Sequence, residues 1–97
     1  MKARVWTINI NPDKVEEAQQ IMQQELQEGA KHYKGLKHWF LLTSPNNTKT
    51  LSIAIWNSEE EMMAGDVLAD NEAQNSRFKD ITVGEPTPTV YDVAERV

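Results

Sequence analysis

Cysteine is absent from the 97 residues, which excludes a disulfide framework, a thiolate nucleophile and a zinc–thiolate site. The absence fits a reducing compartment, and a cytoplasmic location is the expectation. Long apolar runs are missing too: nothing approaches the roughly 20 residues that a membrane-crossing helix needs. The opening MKARVWTINI has neither the apolar core nor the small-residue cleavage site of a secretory signal, and it leads straight into a strand pattern. Positive charge is scarce: 10 Lys and Arg stand against 15 Asp and Glu, for a net charge of −5. Without a Lys/Arg cluster, phosphates meet no concentrated counter-charge, so neither nucleic acid nor an anionic membrane surface is an expected partner. Asp66, Asp70 and Glu72 have no histidine near them, and no metal is expected. There is no phosphate-cradling glycine motif, nucleophile elbow, triad pattern, internal repeat or low-complexity linker.

What is present is the composition of an ordinary globular domain, with 39% hydrophobic and 26% charged residues in a length that suits one domain over 1–97. The chain is organised around Leu51–Met63. Leu51, Ile53 and Ile55 alternate with Ser52, Ala54 and Trp56, the pattern of a strand covered on both faces. Asn57 and Ser58 then turn the chain. Ser58 with Glu61 fits a capping box, and Glu59, Glu60 and Glu61 place negative charge at the positive end of the helix that follows. Trp56 therefore stands at a strand end beside a helix N-terminus, where a cavity can open.

The remaining elements follow in order. Ala3–Ile10 reads as a strand with Trp6, Ile8 and Ile10 on one face and Val5, Thr7 and Asn9 on the other. Asn11-Pro12-Asp13 starts a helix expected to run to about Tyr33, with Val15, Ala18, Met22, Leu26 and Ala30 as its apolar stripe and Gly29 inside it. Leu36–Thr43 is a second strand, with Leu36, His38, Phe40 and Leu42 on one face and Lys37, Trp39 and Leu41 on the other. Ser44–Asn47 turns it into the third strand, Lys49–Trp56. The second helix carries Met62, Met63 and Val67, a short helix from Asp70 or Asn71 to Phe78 follows, and Thr89–Ala94 is the last strand.

The order β-α-β-β-α-β is the ferredoxin-like, α+β pattern: a four-stranded antiparallel sheet with two helices on one face. The opposite face of such a sheet is normally polar, yet here it carries large apolar residues. A second copy laid face to face would bury it, so a homodimer with two sheets forming one dimeric α+β barrel is expected.

At this point the chain resembles the antibiotic biosynthesis monooxygenase-like group of dimeric α+β barrel proteins. The resemblance rests on the opening strand with Asn11-Pro12-Asp13-Lys14 and a long helix, on Lys34-Gly35-Leu36 before the second strand, and on Ile55-Trp56-Asn57-Ser58-Glu59-Glu60, similar to the family's W-x-S-x-E/Q junction. The ending Val90-Tyr91-Asp92-Val93 also fits, and the likeness spans essentially the whole chain. It implies a ligand cavity between the sheet and its own helices, and a cofactor-independent, monooxygenase-like activity on a small apolar or aromatic molecule. It also implies Trp56 and Asn9 as the catalytic positions. Lys34 stands where the family has proline. Ser52 stands where aromatic oxygenases have an asparagine four residues before the tryptophan. Residues 59 to 81 hold no histidine to match the axial ligand of the haem-degrading branch.

Two alternatives stand beside the monooxygenase-like reading: a non-catalytic small-ligand-binding or stress-related barrel protein, and a haem-binding relative. In the first reading Trp56 forms a cavity wall, Asn9 and Ser52 hold ligand oxygens, and His38 is a distant candidate base. Met63 and Phe78 are candidate lining residues. Each has a structural counterpart: Trp56 as core packing, Asn9 as a strand-end residue, His38 as a rim histidine, and Met62, Met63 and Phe78 as filling. The discriminating observation is whether the space beside Trp56 is open or filled.

Overall fold

The computed structural model describes residues 1–29, 31–46, 48–69 and 78–95. Its elements are β1 (Lys2–Asn9), a 3-10 turn (Pro12–Lys14), α1 (Val15–Gly29), β2 (Leu36–Thr43), β3 (Lys49–Trp56), α2 (Glu59–Ala69) and β4 (Thr87–Asp92). The four strands form one antiparallel sheet in the order β2-β3-β1-β4. This is the ferredoxin-like α+β fold.

Register assigns every strand residue to a face. Trp6 lies opposite Ser52 and Pro88, and Leu41 opposite Ser52. One face therefore carries Arg4, Trp6 and Ile8 of β1, Thr50, Ser52, Ala54 and Trp56 of β3, and Trp39, Leu41 and Thr43 of β2. Both helices lie on it. Ala18 and Met22 of α1 join Ile8, Ile10 and Ile81 in one cluster, and Met62 of α2 joins Ala54 and Trp56 in another. Ile81 closes the first cluster, completely buried, while Ile10 bridges to Thr82.

The other face carries His38, Phe40 and Leu42, then Leu51, Ile53 and Ile55, then Val5, Thr7 and Asn9, with Thr89 and Tyr91 at the edge. Among the described residues no helix covers it. Phe40, Leu42 and Tyr91 are each at least half open to solvent.

Local chemistry sets the element ends. The Asn11 side chain accepts the Asp13 N–H at 3.0 Å, capping the 3-10 turn in which Pro12 supplies its fixed φ. The helix expected to reach Tyr33 stops at Gly29, a residue of low helix propensity. The His32 N–H then turns back to the Gly29 carbonyl at 2.9 Å, which frees Tyr33 to enter the core. The sheet register shifts between Leu36 and His38, so Leu36 packs beside Trp56 instead of sharing a face with His38, Phe40 and Leu42. The last strand starts at Thr87, earlier than its alternation implies, and takes in Pro88. Ala30, the Val67 side chain and the stretch 70–77, including Ala73 and Arg77, lie outside the described residues. Residues 78–81 are helical.

Candidate functional site

Trp56 ends β3 and is only 6% exposed. Tyr33 meets its ring edge-on at 5.8 Å and meets Trp39 in the same way at 6.0 Å. Met62, Leu36 and Ala54 complete the packing. From above, α2 brings Gly65 so close that a β-carbon there would overlap the indole, and Gly29 would likewise place a β-carbon 2.9 Å from Trp39. Glycine at these two positions lets backbone and aromatic ring touch. The space beside Trp56 is thus filled.

The junction below it is fixed by the expected cap. The Glu61 N–H donates to the Ser58 hydroxyl at 3.2 Å, and that hydroxyl donates to the Glu61 carboxylate at 3.2 Å. The carboxylate returns to the cap's side chain where a standard capping box returns to its backbone N–H. The Asn57 N–H binds the Gly35 carbonyl at 2.9 Å, tying the start of α2 to the α1–β2 connection.

Two buried donors in this compartment have no partner among the described residues: the Trp56 indole N–H and the Nε–H of Arg4. The Arg4 guanidinium pairs through its terminal nitrogen with Asp66 of α2 and lies 5.8 Å over the Trp6 ring. A buried unpaired donor costs about 1–3 kcal/mol. Burial of Tyr33, reinforced by Glu25 and Asp66, raises its phenol above the usual value.

Ser52 shares this face, but its hydroxyl is engaged, accepting the Trp39 indole N–H at 2.8 Å. Asn9 projects from the opposite face, is exposed, and lies across from Lys49, whereas Trp56 lies across from Lys2. The seven steps along β1 put them about 23 Å apart at roughly 3.3 Å per residue. His38 is also on the uncovered face, exposed and stacked on Phe40 at 6.0 Å. Met63 points to solvent from α2, 58% exposed, and Phe78 packs with the Ile8–Ile10–Ile81 cluster at the other end of the sheet. The six residues expected to share one cavity therefore do not: the fold brings together Trp56 and Ser52 and leaves Asn9, His38, Met63 and Phe78 elsewhere. The cause is strand parity for Asn9 and His38, and helix phase for Met63.

The open space lies at the other end of the same sheet face. A cavity of about 230 Å³ separates α1 from β2 and β3, lined by Ile10, Val15, Ala18, Gln19, Met22, Gln23, Leu41, Thr43 and Thr50. Val15, Ala18, Met22 and their neighbours Gln19 and Gln23 recur at helical spacing and present one side of α1. Opposite them, Thr43 and Thr50 are paired across β2 and β3. No side chain in this lining ionises near neutral pH. Among the described residues no group of three His, Asp or Glu side chains is placed to hold a metal, and no helix is long and apolar enough to cross a membrane. Sequence reasoning marked Val15, Ala18 and Met22 as a packing stripe, and the cavity that the resemblance implies between sheet and helices was expected beside Trp56, not at Thr50. The available signal was the short side chains facing that stripe from the strands.

Solved structures share this ferredoxin-like α+β fold. Three are described as a "putative antibiotic biosynthesis monooxygenase". The one from Nitrosomonas europaea is 12% identical, superposes with a TM-score of 0.85, and covers 98% of this chain and 100% of its own. The one from Caulobacter crescentus is 14% identical with a TM-score of 0.81, covering 97% of this chain and 90% of its own. A protein of Bordetella bronchiseptica with the same description gives 11% identity and a TM-score of 0.79, covering 97% of each chain. At such identities the shared property is the fold. No protein-family model matches the chain, and no curated protein matches it.

Proposed function

We propose that this chain is a homodimeric α+β barrel protein that binds a small, mostly apolar molecule between α1 and its own sheet. The observation that carries the reading is the contrast on one sheet face: the compartment at Trp56 is filled, while the compartment at Thr50 is hollow and lined without an acid or base. The lining offers shape and hydrogen bonds but no group of suitable pKa to move a proton, which favours binding over catalysis. The second copy belongs on the uncovered face, where Phe40, Leu42 and Tyr91 otherwise stay wet. Sedimentation at micromolar concentration should give a dimer, and Phe40→Glu should dissociate it. A stable wild-type monomer would remove the dimer from the proposal. Amide spectra recorded while titrating small apolar probes should show shifts at Ala18, Met22 and Thr50; shifts confined to the surroundings of Trp56 would move the ligand to the other compartment.

A second reading, cofactor-independent oxygenation of an apolar or aromatic molecule, has its own support. Structures sharing the fold carry monooxygenase names, and the buried Trp56 N–H is a donor without a partner among the described residues. An oxygen acceptor on a substrate would satisfy that donor if α2 moved aside. Oxygen uptake with a panel of quinols tests it. Uptake that is lost in Trp56→Phe supports the reading, and uptake unchanged in both Trp56→Phe and Asn9→Ala takes these residues out of the mechanism.

A further inference from the structure

We infer that the cavity under α1 selects an uncharged, aliphatic molecule of about one ring's size that carries a single hydroxyl, ketone or amide group, anchored by Thr50. The inference rests on the cavity being the ligand site. Its walls are Ile10, Val15, Ala18, Met22 and Leu41, all aliphatic or thioether, with no aromatic ring to stack upon. No ionised side chain faces the space, so a carboxylate or ammonium drawn to the Thr50 end would give up hydration without gaining a counter-charge, which costs more than placing a neutral polar group there. The volume, about 230 Å³, exceeds the roughly 150 Å³ of an apolar cavity that takes benzene and falls below the roughly 300–1,000 Å³ of drug-sized pockets.

Thr50 supplies direction. The residue is 2% exposed and lines the cavity, to which it brings a hydroxyl. A hydroxyl both donates and accepts, so it matches an alcohol, a carbonyl or an amide equally. Thr43, directly across the strand pair, is more exposed, and Gln19 and Gln23 stand on the α1 side. The deep polar contact is therefore Thr50, and the ligand's apolar body rests on Met22, Ala18 and Leu41.

The test is a titration of the full chain followed by amide spectra, using cyclohexanol, cyclohexanecarboxylate, cyclohexylamine (protonated at neutral pH) and methylcyclohexane. Cyclohexanol should bind at least ten-fold more tightly than either charged analogue. Thr50→Val keeps the side-chain shape and should weaken cyclohexanol by about five-fold, the loss of one neutral hydrogen bond, while leaving methylcyclohexane unchanged. Thr50→Ser keeps the hydroxyl and should retain the cyclohexanol affinity. Equal or tighter binding of a charged analogue, or unchanged cyclohexanol affinity in Thr50→Val, overturns the inference and leaves the cavity reading standing. Absence of shifts at the lining residues with every probe overturns both.

Discussion

The two ends of the helix-covered sheet face use the same strand for opposite purposes. β3 runs Thr50, Ser52, Ala54, Trp56 along that face, all buried. At the Trp56 end, Gly65 and Gly29 let the backbone come down on large rings, and three aromatic side chains interlock. At the Thr50 end the strand residues are short, Ala18 faces them from α1, and no large ring crosses the gap. Interiors normally close to crystal-like density. One end is filled with aromatics, while the other leaves open space between helix and strands. A large aromatic at the end of a strand thus marks structural filling here, and the receptive volume lies where the side chains are small.

The largest way to break this contrast is Trp56→Ala. Removing a buried indole should cost about 3–5 kcal/mol in urea unfolding, and cyclohexanol should still bind at the Thr50 end. Loss of binding at constant foldedness would join the two compartments. Gly65→Ala comes next. The added methyl meets the Trp56 ring, so overpacking of about 1–3 kcal/mol should outweigh the roughly 1 kcal/mol that alanine gains in helix propensity. A stabilised variant would mean that α2 rides higher over the indole than described.

Ala18→Leu sharpens the contrast from the hollow side. Its side chain enters the cavity, so stability should rise by about 0.5–2 kcal/mol while probe binding disappears. The smallest effect belongs to Tyr33. Its folded phenol ionises above the unfolded value of about 10 because burial, then Glu25 and Asp66, disfavour the phenolate. The unfolded chain therefore loses its proton first. Stability is fully present below pH 10 and falls as pH rises through the folded value. Melting temperatures between pH 9 and 11 should show this decline, and Tyr33→Phe should flatten it.

Much of the fold was legible because it rests on period and punctuation. The alternation Leu51–Trp56, the Asn11-Pro12 cap and the Ser58–Glu61 pair act within a few residues, and each appears where its spacing places it. The faces of Asn9 and Trp56 were legible too: strand parity already separates Asn9 from Trp6, and register puts Trp6 opposite Ser52. Grouping Asn9 with Trp56 in one site followed family resemblance, which parity does not support in this chain. The exit of Leu36 to the covered face could not be read, since it depends on a bulge that only the β2–β3 pairing creates. Nor could the end of the face at which the cavity lies, since the space is a remainder left after helix and sheet settle their distance, and no motif encodes where a remainder falls. Met63 shows the limit of an irregular helix pattern: with Gly65 and Asp66 breaking the stripe, the phase that buries Met62 and exposes Met63 was not determined.

One edge of the sheet bears on how copies of this chain can meet. β4 is an outer strand, and Pro88 pairs with Trp6 within it. Proline has no N–H to give β1, so this pair must be of the non-bonded kind, and the Pro88 nitrogen faces outward, where a neighbouring strand would seek a donor. A missing rung there interrupts any continuous ribbon of backbone bonds along that border. Growth of the sheet into an open-ended stack along that border is thereby discouraged.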